Sequence, residues 1–157
     1  MNRRTWIGTG IAATLLVGAG AIYERPLQDD DSSILGAIAP VLLGGALPKD
    51  DASIQLVIDG FHTAVAGLTP SVQDEVAQLF TLLRVAPLRM IATGVMRPWH
   101  SASQDEIERF LTGWRYSGVA KLRSAYDALH QLTIAAWYGN PKAWPRTGYP
   151  GPPTVNV

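Results

Sequence analysis

The chain contains no cysteine. That absence excludes a disulfide, a covalent c-type haem on Cys-x-x-Cys-His, an iron–sulfur cluster and a thiol nucleophile on this chain. Charge of one sign is missing as well: 13 Lys and Arg balance 13 Asp and Glu. Removing residues 1–21, which hold Arg3 and Arg4 but no acid, would leave 11 basic against 13 acidic residues. So even a balance gives no electrostatic footprint for nucleic acid. Outside the two ends no alternating pattern reads as a strand, and no repeat of roughly 20–50 residues is visible. At 157 residues the chain suits one modest domain plus an export segment. Its stability must come from helix packing or from a partner.

Catalytic patterns are also missing. His62, His100 and His130 are the three histidines, and none belongs to a His-Glu-x-x-His helix. Asp59–His62 and Asp127–His130 are isolated pairs three residues apart, the spacing of a weak local contact on a helix surface. There is no Gly-x-Ser-x-Gly turn for seryl chemistry, and Leu43-Gly44-Gly45-Ala46 lacks the Lys-Ser/Thr ending of a phosphate loop. Asp50-Asp51 sits at a helix start, where capping accounts for paired carboxylates. The reading is a chain without a catalytic or metal site.

What is present begins with an export signature. Asn2-Arg3-Arg4-Thr5-Trp6-Ile7-Gly8 resembles the twin-arginine signal of bacteria, with Arg3, Arg4, Trp6 and Ile7 carrying the likeness. The uncharged run from Trp6 to Ile22 is 17 residues, ten of them Gly, Ala or Thr. At roughly 1.5 Å per residue it falls short of a ~30 Å hydrocarbon core. Ala19-Gly20-Ala21 offers small residues to a signal peptidase, and retention as an amino-terminal anchor is the alternative. Membrane contact would then be confined to residues 5–22. Both outcomes place the protein in the periplasm or on the periplasmic face of the inner membrane. Residues 1–22 are therefore read as signal or anchor, 23–31 as a linker, 32–139 as a helical domain and 140–157 as a tail.

Within the domain, helix signals follow one another. Ser32 or Ser33 caps a helix carrying Ile34, Leu35, Ile38, Val41 and Leu42, which Pro40 is expected to kink or divide. Asp51 or Ser53 opens the next, with Ile54, Val57, Ile58, Phe61, Val65 and Leu68 on one face. Thr69-Pro70 is a strong start signal for a helix through Arg84. Leu88–Ala92 reads as a short turn closed at Gly94, and Met96–His100 as a loop. Ser103 with Glu106 is a capping box for a helix burying Ile107, Phe110, Leu111 and Trp114. Tyr116-Ser117-Gly118 breaks the chain before the longest helix, where Leu122, Tyr126, Leu129, Thr133, Ala136 and Trp137 recur on one face. Gly139-Asn140-Pro141 ends it, glycine being suited to a left-handed cap. The fold class is all-α, a small helical bundle with an extended Pro- and aromatic-rich tail.

That tail organises the reading. Five prolines between 141 and 153 bias it to an extended path, yet it carries Trp144 and Tyr149, which linkers usually lack. Tryptophan and tyrosine interleaved with arginine is also the composition of a protein interface. Trp114, Tyr126 and Trp137 are expected in the core, and Trp99, Trp144 and Tyr149 at a docking surface. The tail either wraps its own helices or docks on another subunit.

Phe110-Leu111-x-x-Trp114-Arg115-Tyr116-Ser117, Ala125-Tyr126-x-Ala128-Leu129 and Trp137-Tyr138-Gly139-Asn140-Pro141-x-Ala143-Trp144 through Gly148-Tyr149-Pro150-Gly151-Pro152 resemble the gluconate 2-dehydrogenase subunit 3 (gamma subunit) group. The resemblance implies a non-catalytic small subunit that binds, stabilises and escorts for export a periplasmic flavin-dependent dehydrogenase of the glucose–methanol–choline type. No cofactor is implied on this chain; FAD would sit on the catalytic partner, with a cytochrome c as a candidate electron acceptor and the twin-arginine machinery as a further partner. Trp99, Arg115, Tyr138, Trp144, Arg146, Tyr149 and Pro150 form the expected partner-binding set. Lacking cysteine, the chain departs from better-known gamma subunits, and no disulfide or cluster role carries over. The alternative is a membrane-tethered periplasmic helical protein that binds or scaffolds without an enzyme partner.

Overall fold

The computed structural model describes residues 30–152. The proposed signal with Arg3, Arg4, Trp6 and Ile7 lies outside the described residues, as does most of the linker. Among the described residues there are seven α-helices and no strand, so the all-α expectation holds.

Helix α1 runs Asp30–Leu42 and is embedded, with Ile34, Leu35, Ile38 and Ala39 all at 1% exposure or less. It begins three or four residues earlier than a cap at Ser32 or Ser33 would place it. Asp31, assigned to the linker from sequence, is fully buried and takes a 2.7 Å ion pair from Arg84. A charge-assisted bond of this kind offsets the cost of removing a carboxylate from water. Pro40 does not divide the helix. It sits exposed within two residues of the helix end, where only one ladder bond is forgone.

Helix α2 spans Asp51–Ala66, capped by Asp50, whose carboxylate accepts from the Ser53 amide and hydroxyl at 2.8 Å each. Helix α3 spans Pro70–Arg84 and α4 spans Ala86–Thr93, meeting at Val85 with a bend of 94°. No single described helix is long and apolar enough to cross a membrane. Gly94 closes α4 in the left-handed region at φ 74°, which a side chain would disfavour. A 3₁₀ turn at Trp99–Ser101 leads to α5, Gln104–Arg115, which carries the expected capping box between Ser103 and Glu106. Helix α6 spans Ala120–Tyr138.

The broadest helix-to-helix contact is α2 against α6. The two run antiparallel: Ser53, in the first turn of α2, meets Lys142, just past the end of α6, while Gly60 faces Ala136. A Cβ on Gly60 would stand 2.9 Å from the Ala136 carbonyl oxygen, closer than packed atoms allow. Glycine there lets the two backbones approach. Around this crossing Val57, Phe61, Phe80, Leu83, Leu129 and Trp137 fill the core, each at 1% exposure or less. Phe61 and Phe80 meet edge to face, with centroids 5.5 Å apart.

The tail differs from expectation. It is not extended through 141–147: a 3₁₀ turn at Pro141–Ala143 runs into a short helix α7, Trp144–Thr147. Pro141 and Pro145 fall at first-turn positions, where the missing N–H would have had no partner and the fixed φ already suits a helix. Prolines at such offsets start helical turns rather than prevent them. Gly139 also departs from the expected left-handed cap, standing at φ −68° and ψ −16°. Asn140, extended at φ −90°, makes the change of direction instead, its side chain accepting from the Lys142 amide.

Candidate functional site: a carboxy-terminal hook

Past Tyr138 the chain folds into a hook whose hub is Trp144. Its indole Nε1 donates to the Tyr138 carbonyl, the last of α6, at 3.0 Å. Its own carbonyl accepts from the Thr147 hydroxyl at 2.8 Å and the Tyr149 amide at 3.2 Å. Gly148, at φ 71°, reverses the chain so that the Tyr149 ring meets the Trp144 ring edge-on at 5.3 Å. Gly151, at φ 101°, then passes over the same indole, where a Cβ would come within 3.1 Å of Cζ3. Backbone and side chains thus close around one ring.

Two cations fasten the hook to the first turn of α2 and the connection that precedes it. Lys142 donates from Nζ to the Ser53 hydroxyl at 2.9 Å and stands 3.6 Å from Asp50 Oδ1. Arg146 donates to the Ala46 carbonyl at 3.3 Å. The Ser53 hydroxyl and amide, with Lys142 adding a smaller pull, hold the Asp50 carboxyl below the ordinary carboxylate range. Ala143 is sealed beneath the turn at 1% exposure.

The outer side of the hook is presented to solvent. Tyr149 is 48% and Tyr138 40% exposed, and Pro145, Arg146 and Pro150 are exposed around them. Of the seven residues expected to bind a partner, Tyr138, Trp144, Arg146, Tyr149 and Pro150 are gathered here. Arg115 is not among them. It ends α5 with its guanidinium over the rings of Tyr116 and Tyr126, at 5.4 and 5.8 Å.

Trp99 is a correction. Expected at a docking surface, it is 5% exposed, packs on Phe110 at 6.0 Å and donates from Nε1 to the Leu83 carbonyl at 2.9 Å. Leu83 lies in the last turn of α3, whose carbonyls have no intrahelical donor. Trp114 does the same for Ala92 at the end of α4, at 2.8 Å. Tryptophans therefore satisfy the carboxyl ends of three helices, α3, α4 and α6. Their composition mimics an interface, while two of the three indoles are internal. Trp114, Tyr126 and Trp137 are buried as expected, at 2%, 8% and 1%.

Residues not foreseen are Lys142, Ser53 and Gly151, which fix the hook's position. Only the helix-start signal at Asp50–Ser53 was visible in advance; that Lys142 would reach it required the antiparallel α2–α6 pairing. A shallow groove of about 370 Å³ also lies between α1 and the turn at Trp99, lined by Gly36, Pro40, Trp99, His100 and Ile107 among others. It gathers no set of ionisable groups. Among the described residues no three His, Cys, Asp or Glu side chains converge as metal ligands. The arrangement can bind through ring faces, proline edges and an arginine. Compared with protein-family models, curated proteins and solved structures, the chain matches none.

Proposed function

We propose that the chain is the non-catalytic small subunit of a periplasmic flavin-dependent dehydrogenase of the glucose–methanol–choline type. It binds and stabilises that enzyme and escorts it through the twin-arginine route on the strength of Arg3, Arg4, Trp6 and Ile7. FAD, substrate and electron transfer belong to the partner, with a cytochrome c as acceptor. One observation carries the reading. The hook is braced from within by Lys142, Arg146 and Trp144, while Tyr138, Tyr149 and Pro150 face outward. A surface already ordered gives up little entropy on docking, which is what a stable accessory subunit requires. Exposed tyrosines are rigid anchors with few rotatable bonds.

The test is co-purification from the native host. A tagged chain should bring down a protein carrying the absorbance of bound flavin. Tyr138→Ala, at an exposed ring, should lose it without moving the unfolding midpoint of the isolated chain, and Tyr149→Ala should lose it with the helical content of the isolated chain unchanged. Replacing Arg3 and Arg4 by Lys should leave both proteins in the cytoplasm. Recovery of the tagged chain with no flavoprotein would overturn the proposal and favour a tethered helical scaffold.

A further inference from the structure

The fold leaves an aromatic cluster exposed at each end of α6. The hook lies at the carboxyl end, and the elbow that joins α5 to α6 lies at the other. In the elbow the Arg115 guanidinium lies over the rings of Tyr116 and Tyr126, with Cζ 5.4 and 5.8 Å from their centroids. Tyr126 in turn stacks on His130, with centroids 5.5 Å apart and planes 14° from parallel. Arg123 reaches back from α6 to donate to the Ser117 carbonyl at 2.6 Å. The Ser117 hydroxyl accepts from the Val119 amide at 3.1 Å. The elbow is knit together by these contacts, yet its outermost side chains stand in water: Tyr116 is 73% and Val119 49% exposed.

Its charge has one sign. From Arg109 to Tyr126 the chain carries Arg109, Arg115, Lys121 and Arg123 and no acid. All four are exposed. None forms an ion pair among the described residues, where the pairs are Arg84 with Asp31 and Lys142 with Asp50. Lys121 even works against the fold, standing in the first turn of α6 where the helix dipole favours an acid and none is present. Arg115, backed by two rings, keeps its fork open to an acceptor.

Spacing joins this elbow to the hook. Arg123, Asp127, His130, Ile134 and Tyr138 recur at three or four residues and so share one face of α6. All five are exposed or half-buried. The stack of Arg115, Tyr126 and His130 runs from the elbow onto that same face. From Arg123 to Tyr138 it extends about 22 Å at 1.5 Å per residue.

We infer that one partner lies along this face and touches elbow and hook together, and that it is a folded protein presenting a carboxylate to Arg115. That partner is the flavin-dependent dehydrogenase of the proposed function, on which this reading rests. Unpaired cations call for a group of opposite charge, and a guanidinium held flat against rings pairs with a carboxylate at two points. Length calls for a folded protein. A standard interface covers about 800 Å² on each partner, a scale that a face with a cluster at either end suits, whereas a short peptide would fill one end. An anionic bilayer fits less well, because Asp127 stands exposed on the same face as Arg123 and would repel its headgroups.

The experiment is co-purification from the native host, read as bound flavin per tagged full-length chain. Arg115→Glu should lower recovery at least about tenfold, since it sets like charges against each other in place of a pair. Arg123→Glu is the second variant. It places an acid near the amino end of α6, which the helix dipole favours, so helical content should be unchanged while recovery falls several-fold. Full recovery with both variants, alongside its loss in Tyr138→Ala, would overturn this inference alone. No flavoprotein with the unaltered chain would overturn it together with the proposed function. If the two variants keep flavin but lose sedimentation with phosphatidylglycerol vesicles, or lose a dimer formed on concentrating the chain, the occupant is a bilayer or a second copy and the inference falls.

Discussion

Trp99 and Trp144 make the same bond in two different places. Each donates its indole N–H to a carbonyl in the last turn of a helix, Leu83 of α3 for the first and Tyr138 of α6 for the second. Trp99 is 5% exposed and locked between α3 and α5, while Trp144 is only part-buried and lies under a loop. The inner tryptophan holds the bundle together. The outer one shapes a surface, and the surface it shapes carries the exposed tyrosines. The same residue type thus serves stability in the core and presentation in the hook, and burial decides which.

The sharpest way to break that contrast is at the centre of the core. Trp137→Ala should cost roughly 3–5 kcal/mol in urea unfolding, since a fully buried ring leaves a cavity the antiparallel pair cannot close. A loss under 1 kcal/mol would mean that α6 does not seat as described. Gly60→Ala should come next, at about 1–3 kcal/mol, because the added methyl meets the Ala136 backbone rather than a movable side chain. An unchanged midpoint would show that the two helices are further apart.

Trp99→Phe and Trp144→Phe compare the two sites directly. Removing the inner donor strands a buried carbonyl and should cost about 1–3 kcal/mol. The outer carbonyl can turn to water, so its loss should stay near 0.5–1.5 kcal/mol or below. Equal losses would erase the distinction between core and hook.

The smallest effect concerns pH. Asp50 and Glu106 are both held below the ordinary carboxylate range, Asp50 by the Ser53 hydroxyl and amide and Glu106 by the Ser103 amide and hydroxyl. A depressed folded-state pKa contributes stability above the unfolded value, and that contribution is lost as pH falls through the folded one. The caps of α2 and α5 should therefore loosen from about pH 4 downward. The fall in urea midpoint between pH 7 and pH 3 should shrink in an Asp50→Asn, Glu106→Gln double variant. An identical fall would exclude these caps as its source.

Much of the bundle was legible in the chain because helix starts and stops are local chemistry. Thr69-Pro70, the Ser103–Glu106 box and Gly94 each marked a boundary within a few residues. The errors came where distant groups intervened. Asp31 looked like linker until Arg84 reached it from 53 residues away. Trp99 looked like interface because an indole that caps a distant helix has no signature in its own neighbourhood. The hook's prolines were read by count, whereas their position relative to Asn140 and Trp144 made them helix starters.

Taken alone, the amino-acid order determined an all-helical class, several of the helix boundaries and the absence of a thiol. These follow from hydrogen bonds and side-chain spacing within a few residues. The tertiary structure alone decided which aromatic rings are sealed and which face water, how the tail is pinned at Ser53 and Ala46, and that Arg115 of α5 lies over the Tyr126 ring of α6. Those outcomes depend on which helices touch, and long-range contact is not written in any local stretch of sequence.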